Sequence, residues 1–162
     1  MTLVKYLDYT LILEIPRVNK FIFLDLNMRT VLRWIWEFPQ CLLGLLLTFF
    51  YNVKFVGKKG DVRYYAGNFP GGISLGLFIL CRDYSYEKNQ NNIINHEFGH
   101  TRQSLLLGPL YLIIIGIPSI LWAAFINFIF FPNKTYYWFY TERWADHLGG
   151  VKPRWNEKKK RY

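Results

Sequence analysis

A short histidine-rich motif carries the clearest chemical signal in the sequence. Residues 96–100 read His-Glu-Phe-Gly-His. On a helix, His96 and His100 lie four residues apart and present two imidazoles on one face, at the spacing that a tetrahedral zinc ion needs. Glu97 lies beside them, where its carboxylate can take a proton from a water molecule activated by the metal. The motif therefore predicts a zinc site with Glu97 as its general base.

The same motif also has a structural interpretation, in which two half-buried histidines bond only to the backbone. Upstream, Asn91, Asn92 and Asn95 are typical helix-start residues and make a helix over the motif plausible. The chain has 3 histidines, and two of them lie within these five positions. On balance, the pattern favours the metal site.

A second motif, at residues 142–147, reads Glu-Arg-Trp-Ala-Asp-His and precedes a helix-ending glycine pair. Glu142 and Asp146 are four residues apart, so one helical face presents two carboxylates. A site with two histidines needs such a pair, because one carboxylate can bind zinc and the other can hold a histidine in the correct tautomer. Without the upstream motif, a solvated acidic face would be the default interpretation.

Together, HEFGH and ERWAD resemble the gluzincin clan of zinc metallopeptidases. They are most similar to its integral-membrane branch, which includes the CAAX prenyl proteases and the bacterial membrane-bound heat-shock proteases. The resemblance implies that His96, His100 and Glu142 are the zinc ligands. It further implies that Glu97 is the general base and that Asp146 supports a ligand histidine.

The resemblance covers about residues 62–150 and is strong only at the two motifs. It implies that the run ISLGLFIL, residues 73–80, is an edge strand on which a peptide substrate aligns. His147 and Tyr140 are further candidates, as stabilisers of the transition state. For both, ordinary packing or surface exposure is the alternative.

The composition excludes a disordered chain, since 52% of the residues are hydrophobic and 20% are aromatic. Between Gln103 and Asn133 the chain runs 31 residues without Asp, Glu, Lys or Arg. That length exceeds what a helix needs to cross a bilayer. The sequence therefore predicts a small membrane protein.

We expect a mainly α membrane protein with a short β-meander, in which the HExxH helix and the Glu-bearing helix are joined by a membrane-embedded hairpin. The meander is predicted from β-rich runs separated by the turn-forming segments KKGD and NFPGG. We predict a single domain over residues 1–162. Its parts are N-terminal interfacial and membrane helices at 1–53, the meander, zinc site and hairpin at 54–150, and a basic tail at 151–162.

The hairpin is inferred from length. A straight helix over the uncharged run would measure about 46 Å and would carry Glu142 across the bilayer from His96. Zinc ligands must instead lie about 2 Å from the ion. We predict a turn near Gly116–Pro118, and the alternative is a full crossing with the zinc site deep in the membrane.

The formal charge is +9, and the segment from Lys152 to Tyr162 contributes five of these charges, with six basic residues against Glu157. A basic cluster beside apolar segments favours anionic lipid over nucleic acid, although a solvated tail is a further alternative. By the positive-inside rule the tail is cytoplasmic. We expect an integral protein of the bacterial inner membrane, with its active site and tail on the cytoplasmic side and no nucleic-acid partner.

These features predict a membrane-embedded zinc-dependent endopeptidase that acts on peptide or protein substrates. Two rivals remain open. One is a zinc hydrolase of a lipid or other non-peptide substrate. The other is a non-catalytic membrane adaptor with a structural zinc site, although structural sites usually have four protein ligands.

Overall fold

The computed structural model describes residues 10–14, 21–25, 27–69, 71–82, 90–126, 129–131 and 134–154. Most of the predicted basic tail lies outside these residues. The first elements are β1 (Thr10–Glu14) and β2 (Phe21–Asp25), which pair antiparallel as a two-stranded sheet. Strands therefore form in a region where the sequence predicted interfacial helical structure.

Two helices follow, α1 (Met28–Trp36) and α2 (Phe38–Phe50). The side chain of Asn27 accepts a hydrogen bond of 2.8 Å from the Thr30 N–H and so caps the start of α1. Pro39 occupies the first turn of α2, where a missing N–H costs nothing. Glu37, whose side chain is fully buried, separates the two helices.

A four-stranded mixed sheet comprises β3 (Val53–Lys59), β4 (Val62–Gly67), β5 (Gly72–Leu75) and β6 (Phe78–Arg82). The strand order is β3-β4-β6-β5, and β4 pairs with β6 in parallel. The predicted meander is therefore wrong, because β6 lies between β4 and β5 instead of at the end. Strand β5 is left at the edge of the sheet.

The order of the strands follows from a turn that the apolar sequence conceals. The run 73–80 was expected to be one strand, but Gly76 adopts a φ of 60° and divides it into the hairpin β5–β6. The turn packs against Cys41 of α2, so closely that a Cβ at Gly76 would overlap the Cys41 sulfur. The main core lies at this junction, around Cys41, Leu77, Phe78 and Leu80.

The described residues from Gln90 onwards are mainly helical. They begin with α3 (Gln90–Leu107), a 3-10 turn at Gly108–Leu110 and a π-helix at Leu112–Gly116. A short helix α4 (Ile117–Leu121) and a second π-helix (Trp122–Ile126) follow. A 3-10 turn at Tyr136–Trp138 then leads into α5 (Tyr140–Gly149), which packs against α3.

The chain reverses after α3, earlier than the sequence predicted. The helix axis bends by 119° between Asn92–Leu110 and Leu112–Phe125. Gly108 permits this bend, because its φ is 54° and a Cβ there would collide with the Trp36 ring. The turn predicted near Gly116–Pro118 is wrong, since the backbone stays helical there with Pro118 in the first turn of α4.

The predicted fold class, a mainly α membrane protein with a membrane-embedded hairpin, is therefore also wrong. Among the described residues, no single helix is both long enough and apolar enough to cross a bilayer, and one bent pair meets these criteria jointly. The uncharged run is divided by the bend at Gly108 and by the π-helices. The architecture is a mixed four-stranded sheet packed against helices, with the HExxH helix next to β5.

Candidate metal centre

Three buried side chains form a group that could hold a metal ion. His96 and His100 come from α3 and Glu142 comes from α5, and one ligand atom of each lies within 4.8 Å of the others. The Oε2 atom of Glu142 is 3.1 Å from His96 Nε2 and 3.4 Å from His100 Nε2. Ligand atoms of a tetrahedral ion with bonds of about 2.0–2.1 Å are about 3.3 Å apart. The two distances from Glu142 to the histidines fit such an ion.

A close approach of α3 and α5 brings these ligands together. Gly99 of α3 faces the backbone of Ala145 on α5, and a Cβ at Gly99 would overlap the Ala145 carbonyl group. The absence of a side chain lets the two helices touch along their backbones. The faces that carry His96 and Glu142 consequently meet on one side of this contact.

Asp146 fixes the ring of His96. The Nδ1 atom of His96 lies 2.7 Å from Asp146 Oδ1, so Nδ1 carries a proton and donates a hydrogen bond to the carboxylate. The Nε2 atom is thereby directed towards Glu142. Burial alone would lower the pKa of His96, but the hydrogen bonds to Asp146 and Glu142 raise this pKa to about 9.

His100 has a different supporting group, which the sequence analysis missed. Its Nδ1 atom lies 2.7 Å from the side-chain oxygen of Gln103, and the Gln103 amide donates a 2.9 Å hydrogen bond to the Thr141 carbonyl oxygen. Gln103 is fully buried and so links α3 to the start of α5. In the sequence, this role is indicated by a glutamine that lies three residues after the predicted ligand His100.

Both oxygens of Glu142 have defined surroundings. Oε1 accepts hydrogen bonds from the Ser119 and Thr141 hydroxyls, while Oε2 faces the two histidines. Burial would raise the pKa of Glu142, but His100 and His96 hold it well below the usual range. The carboxylate is therefore anionic, and its Oε2 atom is oriented towards the two histidines.

Strand β5 positions the predicted general base. The Ser74 hydroxyl lies 2.6 Å from Oε2 of Glu97 and 2.8 Å from its carbonyl oxygen, so it can donate to either acceptor. Tyr111 donates a 2.9 Å hydrogen bond to the Ser74 carbonyl oxygen and ties β5 to the bend after α3. The side chain of Glu97, which belongs to the HExxH helix α3, is thus held in place by the edge strand β5.

The histidines and Glu97 line a cavity of about 780 Å³. Most of its wall is aliphatic or aromatic and comes from α2, β5 and the helical segments after Gly108. These apolar residues include Leu43, Leu47, Ile73, Ile93, Leu112, Ile115, Ile117 and Ile120. The polar groups of the centre therefore belong to a cavity that is otherwise largely apolar.

A basic residue after α5 completes the surroundings of Asp146. Arg154 donates from Nε to Asp146 Oδ2 at 3.1 Å and from Nη2 to Oδ1. Burial would raise the pKa of Asp146, but hydrogen bonds from His96 and Arg154 lower it. From its place in the sequence, Arg154 belongs only to the predicted basic tail.

The structure brings together five of the seven predicted site residues: His96, Glu97, His100, Glu142 and Asp146. The other two candidates lie elsewhere, since His147 is exposed and the Tyr140 hydroxyl donates to the Ile114 carbonyl oxygen at 2.5 Å. Neither lines the cavity, whereas Tyr136 and Tyr137 do. The polar residues of the site that were not identified from the sequence include Ser74, Gln103, Ser119, Tyr136 and Arg154.

No protein-family model matches this chain, and no curated protein or solved structure matches it significantly. The resemblance to gluzincins stays a prediction from the two motifs.

Proposed function

We propose that the protein is a zinc-dependent endopeptidase. One observation carries the proposal: two members of a group of three metal-ligating side chains, His96 and His100, line the same cavity as Glu97, a side chain that is suited to act as a base. A structural zinc site is usually closed by four protein ligands, whereas three ligands leave a position for water or substrate. The arrangement favours catalysis over a purely structural role.

Two imidazoles and one carboxylate suit zinc, which accepts nitrogen and oxygen ligands in tetrahedral geometry. Zinc in this place would supply Lewis acidity, polarising a carbonyl group and making water more acidic. Asp146 and Gln103 would keep both histidine rings in the tautomer that a metal requires.

Side chains around the cavity would then transfer the protons and stabilise the charge that develops during the reaction. Glu97 would accept a proton from the attacking water and pass it to the leaving amine, with Ser74 holding its carboxylate in place. Tyr136 lines the cavity, where its hydroxyl could donate to the developing oxyanion. Burial, reinforced by the charge of Glu142, raises the pKa of Tyr136, so this hydroxyl stays protonated.

The substrate proposal depends on β5. This strand is at the edge of the sheet, carries Ser74 beside Glu97 and lines the cavity with Ile73 and Leu75. An extended peptide can add to an edge strand through main-chain hydrogen bonds. Because the cavity wall is mainly apolar, we expect cleavage next to bulky apolar residues.

Peptide cleavage provides the test. Purified protein loaded with zinc should cut members of a defined peptide mixture, with the products identified by mass spectrometry. The Glu97→Gln variant should bind zinc and show greatly reduced cleavage, whereas His147→Ala should cut normally because His147 is exposed outside the cavity. Equal cleavage by wild type and Glu97→Gln would contradict the assigned base.

A hydrolase of an apolar non-peptide substrate is the second candidate. Its support is the size of the cavity, because about 780 Å³ of mainly apolar space is far more than a single side chain fills. Fatty-acyl esters assayed beside the peptides would separate the two functions. Turnover of esters without any peptide cleavage would favour this second candidate.

Association with a bacterial inner membrane, with the site and tail on the cytoplasmic side, is likewise a proposal. Its support is a set of large apolar side chains exposed on α2 and beyond Gly108, a pattern typical of surfaces that contact lipid or a partner. They include Leu42, Leu46, Phe50, Leu110, Ile113, Ile117, Ile120 and Phe125. Flotation of the protein with anionic liposomes would test it, and protein that stays at the bottom of the gradient would contradict it.

A further inference from the structure

Arg154 is brought to the site by the way α5 ends. Gly150 adopts the left-handed conformation, with a φ of 70°, and the Val151 N–H donates a 2.9 Å hydrogen bond to the Asp146 carbonyl oxygen. Val151 is buried beneath this turn. The chain therefore folds back along α5, and Arg154 comes to lie beside Asp146, eight residues earlier.

The guanidinium group of Arg154 is held on several sides. Its Nε and Nη2 atoms donate to the two oxygens of the Asp146 carboxylate, and its central carbon lies 3.4 Å from the centre of the Tyr137 ring. The Arg154 side chain is only 14% exposed. The Tyr137 ring in turn meets the His96 ring edge-on, with centroids 5.6 Å apart. Tyr137, Arg154, Asp146 and His96 thus form a continuous chain of contacts.

This chain of contacts has a physical consequence for His96. Asp146 Oδ1 accepts hydrogen bonds from both His96 and Arg154, and Oδ2 accepts a second bond from Arg154. A buried carboxylate without a cation partner carries a large desolvation cost and can rotate. A planar guanidinium that binds both oxygens removes this freedom and keeps the carboxylate charged. The acceptor that faces His96 Nδ1 is then fixed in both position and charge.

We propose that Arg154 is a positioning residue of the metal centre: it fixes the Asp146 carboxylate, which in turn fixes the imidazole of His96. The inference rests on the proposed metal centre. Arg154 itself offers no lone pair for a metal, so its effect passes through Asp146. This places a residue of the segment after α5 among the determinants of metal affinity.

A double-mutant cycle on zinc affinity tests this role. The dissociation constant for zinc would be measured by competition with a chromophoric chelator for wild type, Arg154→Ala, Asp146→Asn and the double variant. Each single substitution should weaken binding about 10–100-fold, the usual cost of losing a group that orients a ligand. The double variant should bind no more weakly than Asp146→Asn, because Arg154 acts only through that carboxylate.

Two further variants separate positioning from simple structural support. Arg154→Lys keeps the charge but cannot bind both oxygens in one plane, so its affinity should fall between wild type and Arg154→Ala. Lys152→Ala removes an exposed cation from the same segment and should bind zinc like wild type. The visible spectrum of bound Co²⁺ should change in Arg154→Ala and stay unchanged in Lys152→Ala. If Arg154→Ala does not fold, Arg154→Gln replaces it, with an expected affinity below that of wild type.

The possible failures are distinguishable. Wild-type protein that binds no zinc would overturn both the metal centre and the role of Arg154. Wild-type zinc affinity in Arg154→Ala would overturn the role alone. Additive losses in the double variant would show a route other than Asp146, and a raised KM with unchanged zinc affinity would show that Arg154 contacts substrate; either result would overturn the proposal.

Discussion

Among the residues that the structure describes, two glutamates are fully buried, Glu37 and Glu142, and they lie in opposite settings. Glu37 lies at the junction of α1 and α2, where Arg33 donates to one oxygen at 2.6 Å and Ser104 donates to the other at 2.5 Å. One oxygen of Glu142 accepts hydrogen bonds from two hydroxyl groups, and its other oxygen faces two histidines. The first carboxylate is satisfied by groups around it, whereas the second has an oxygen in position to bind a metal.

The difference shows that burial of a charge does not by itself identify a functional site. The Glu37 cluster is extended by Gln40, which donates to Ser104 and to the Gly108 carbonyl oxygen. It thereby joins α1 and α2 to the bend after α3. We interpret this cluster as structural and the one around Glu142 as chemical, and substitutions in the two should separate stability from function.

The largest effect is expected at Glu97, the one carboxylate at the cavity that is assigned to proton transfer. Glu97→Gln should lower turnover by about 10²–10⁴-fold, the usual contribution of a general base. Zinc content should stay at the wild-type level, because Glu97 is not assigned as a ligand. Steady-state cleavage and metal analysis on the same preparation would check both statements.

Glu142→Gln should come next, as a loss of metal. A neutral amide is a poor ligand in place of a carboxylate, so zinc retention should nearly disappear. Asp146→Asn should weaken zinc binding by about 10–100-fold and His147→Ala should leave it unchanged. A chelator titration would give this order, and a weaker affinity in Asp146→Asn than in Glu142→Gln would show that the third ligand was wrongly chosen.

The matching substitution at the structural glutamate should affect the fold instead. Glu37→Ala leaves Arg33 buried without its partner and should destabilise the protein by about 3–5 kcal/mol. Zinc affinity of the folded fraction should equal that of wild type. Chemical denaturation measured beside zinc titration would reveal the contrast, and a large loss of zinc affinity would remove the distinction between the two clusters.

The smallest effect concerns pH. In metal-free protein the pKa of His96 is raised to about 9, so a proton occupies the site at neutral pH and must leave when a metal binds. Apparent zinc affinity should therefore rise about tenfold from pH 7 to pH 8. The pKa of His96 in the folded protein exceeds its ordinary value of 6.5. The contacts of protonated His96 therefore stabilise metal-free protein fully below pH 6.5, and this stabilisation is lost as the pH rises through about 9.

Asp146→Asn provides the control for this pH dependence. The carboxylate raises the pKa of His96, so its removal should shift the rise in zinc affinity to lower pH. A slope that is the same in wild type and Asp146→Asn would contradict this origin of the proton.

The residues of the candidate site could be predicted from the sequence better than the fold could. The spacing of four between His96 and His100, and again between Glu142 and Asp146, follows from helix geometry and needs no tertiary information. Three other residues reach the site from different elements, so their roles depend on tertiary contacts. They are Ser74 in β5, Ser119 in α4 and Arg154 after α5. Only Gln103 lies on the motif helix itself.

Errors in the predicted fold arose where a distant contact decides between similar local signals. Gly108 and Gly116 both precede a proline closely, and the reversal occurs at Gly108 because Trp36 packs against its bare backbone. Gly76 divides an apolar run that looked like one strand, because α2 covers the turn. The uncharged run was predicted to turn near Gly116–Pro118 as a membrane-embedded hairpin, whereas its bend lies at Gly108.

Metal content of purified protein is the most direct test of the central claim, that His96, His100 and Glu142 form one metal centre. Wild type and His147→Ala should contain about one zinc per chain, and His96→Ala should contain very little. His147 is a matched control because it is a histidine exposed on α5, away from the cavity. Equal zinc in wild type and His96→Ala would contradict the assigned centre.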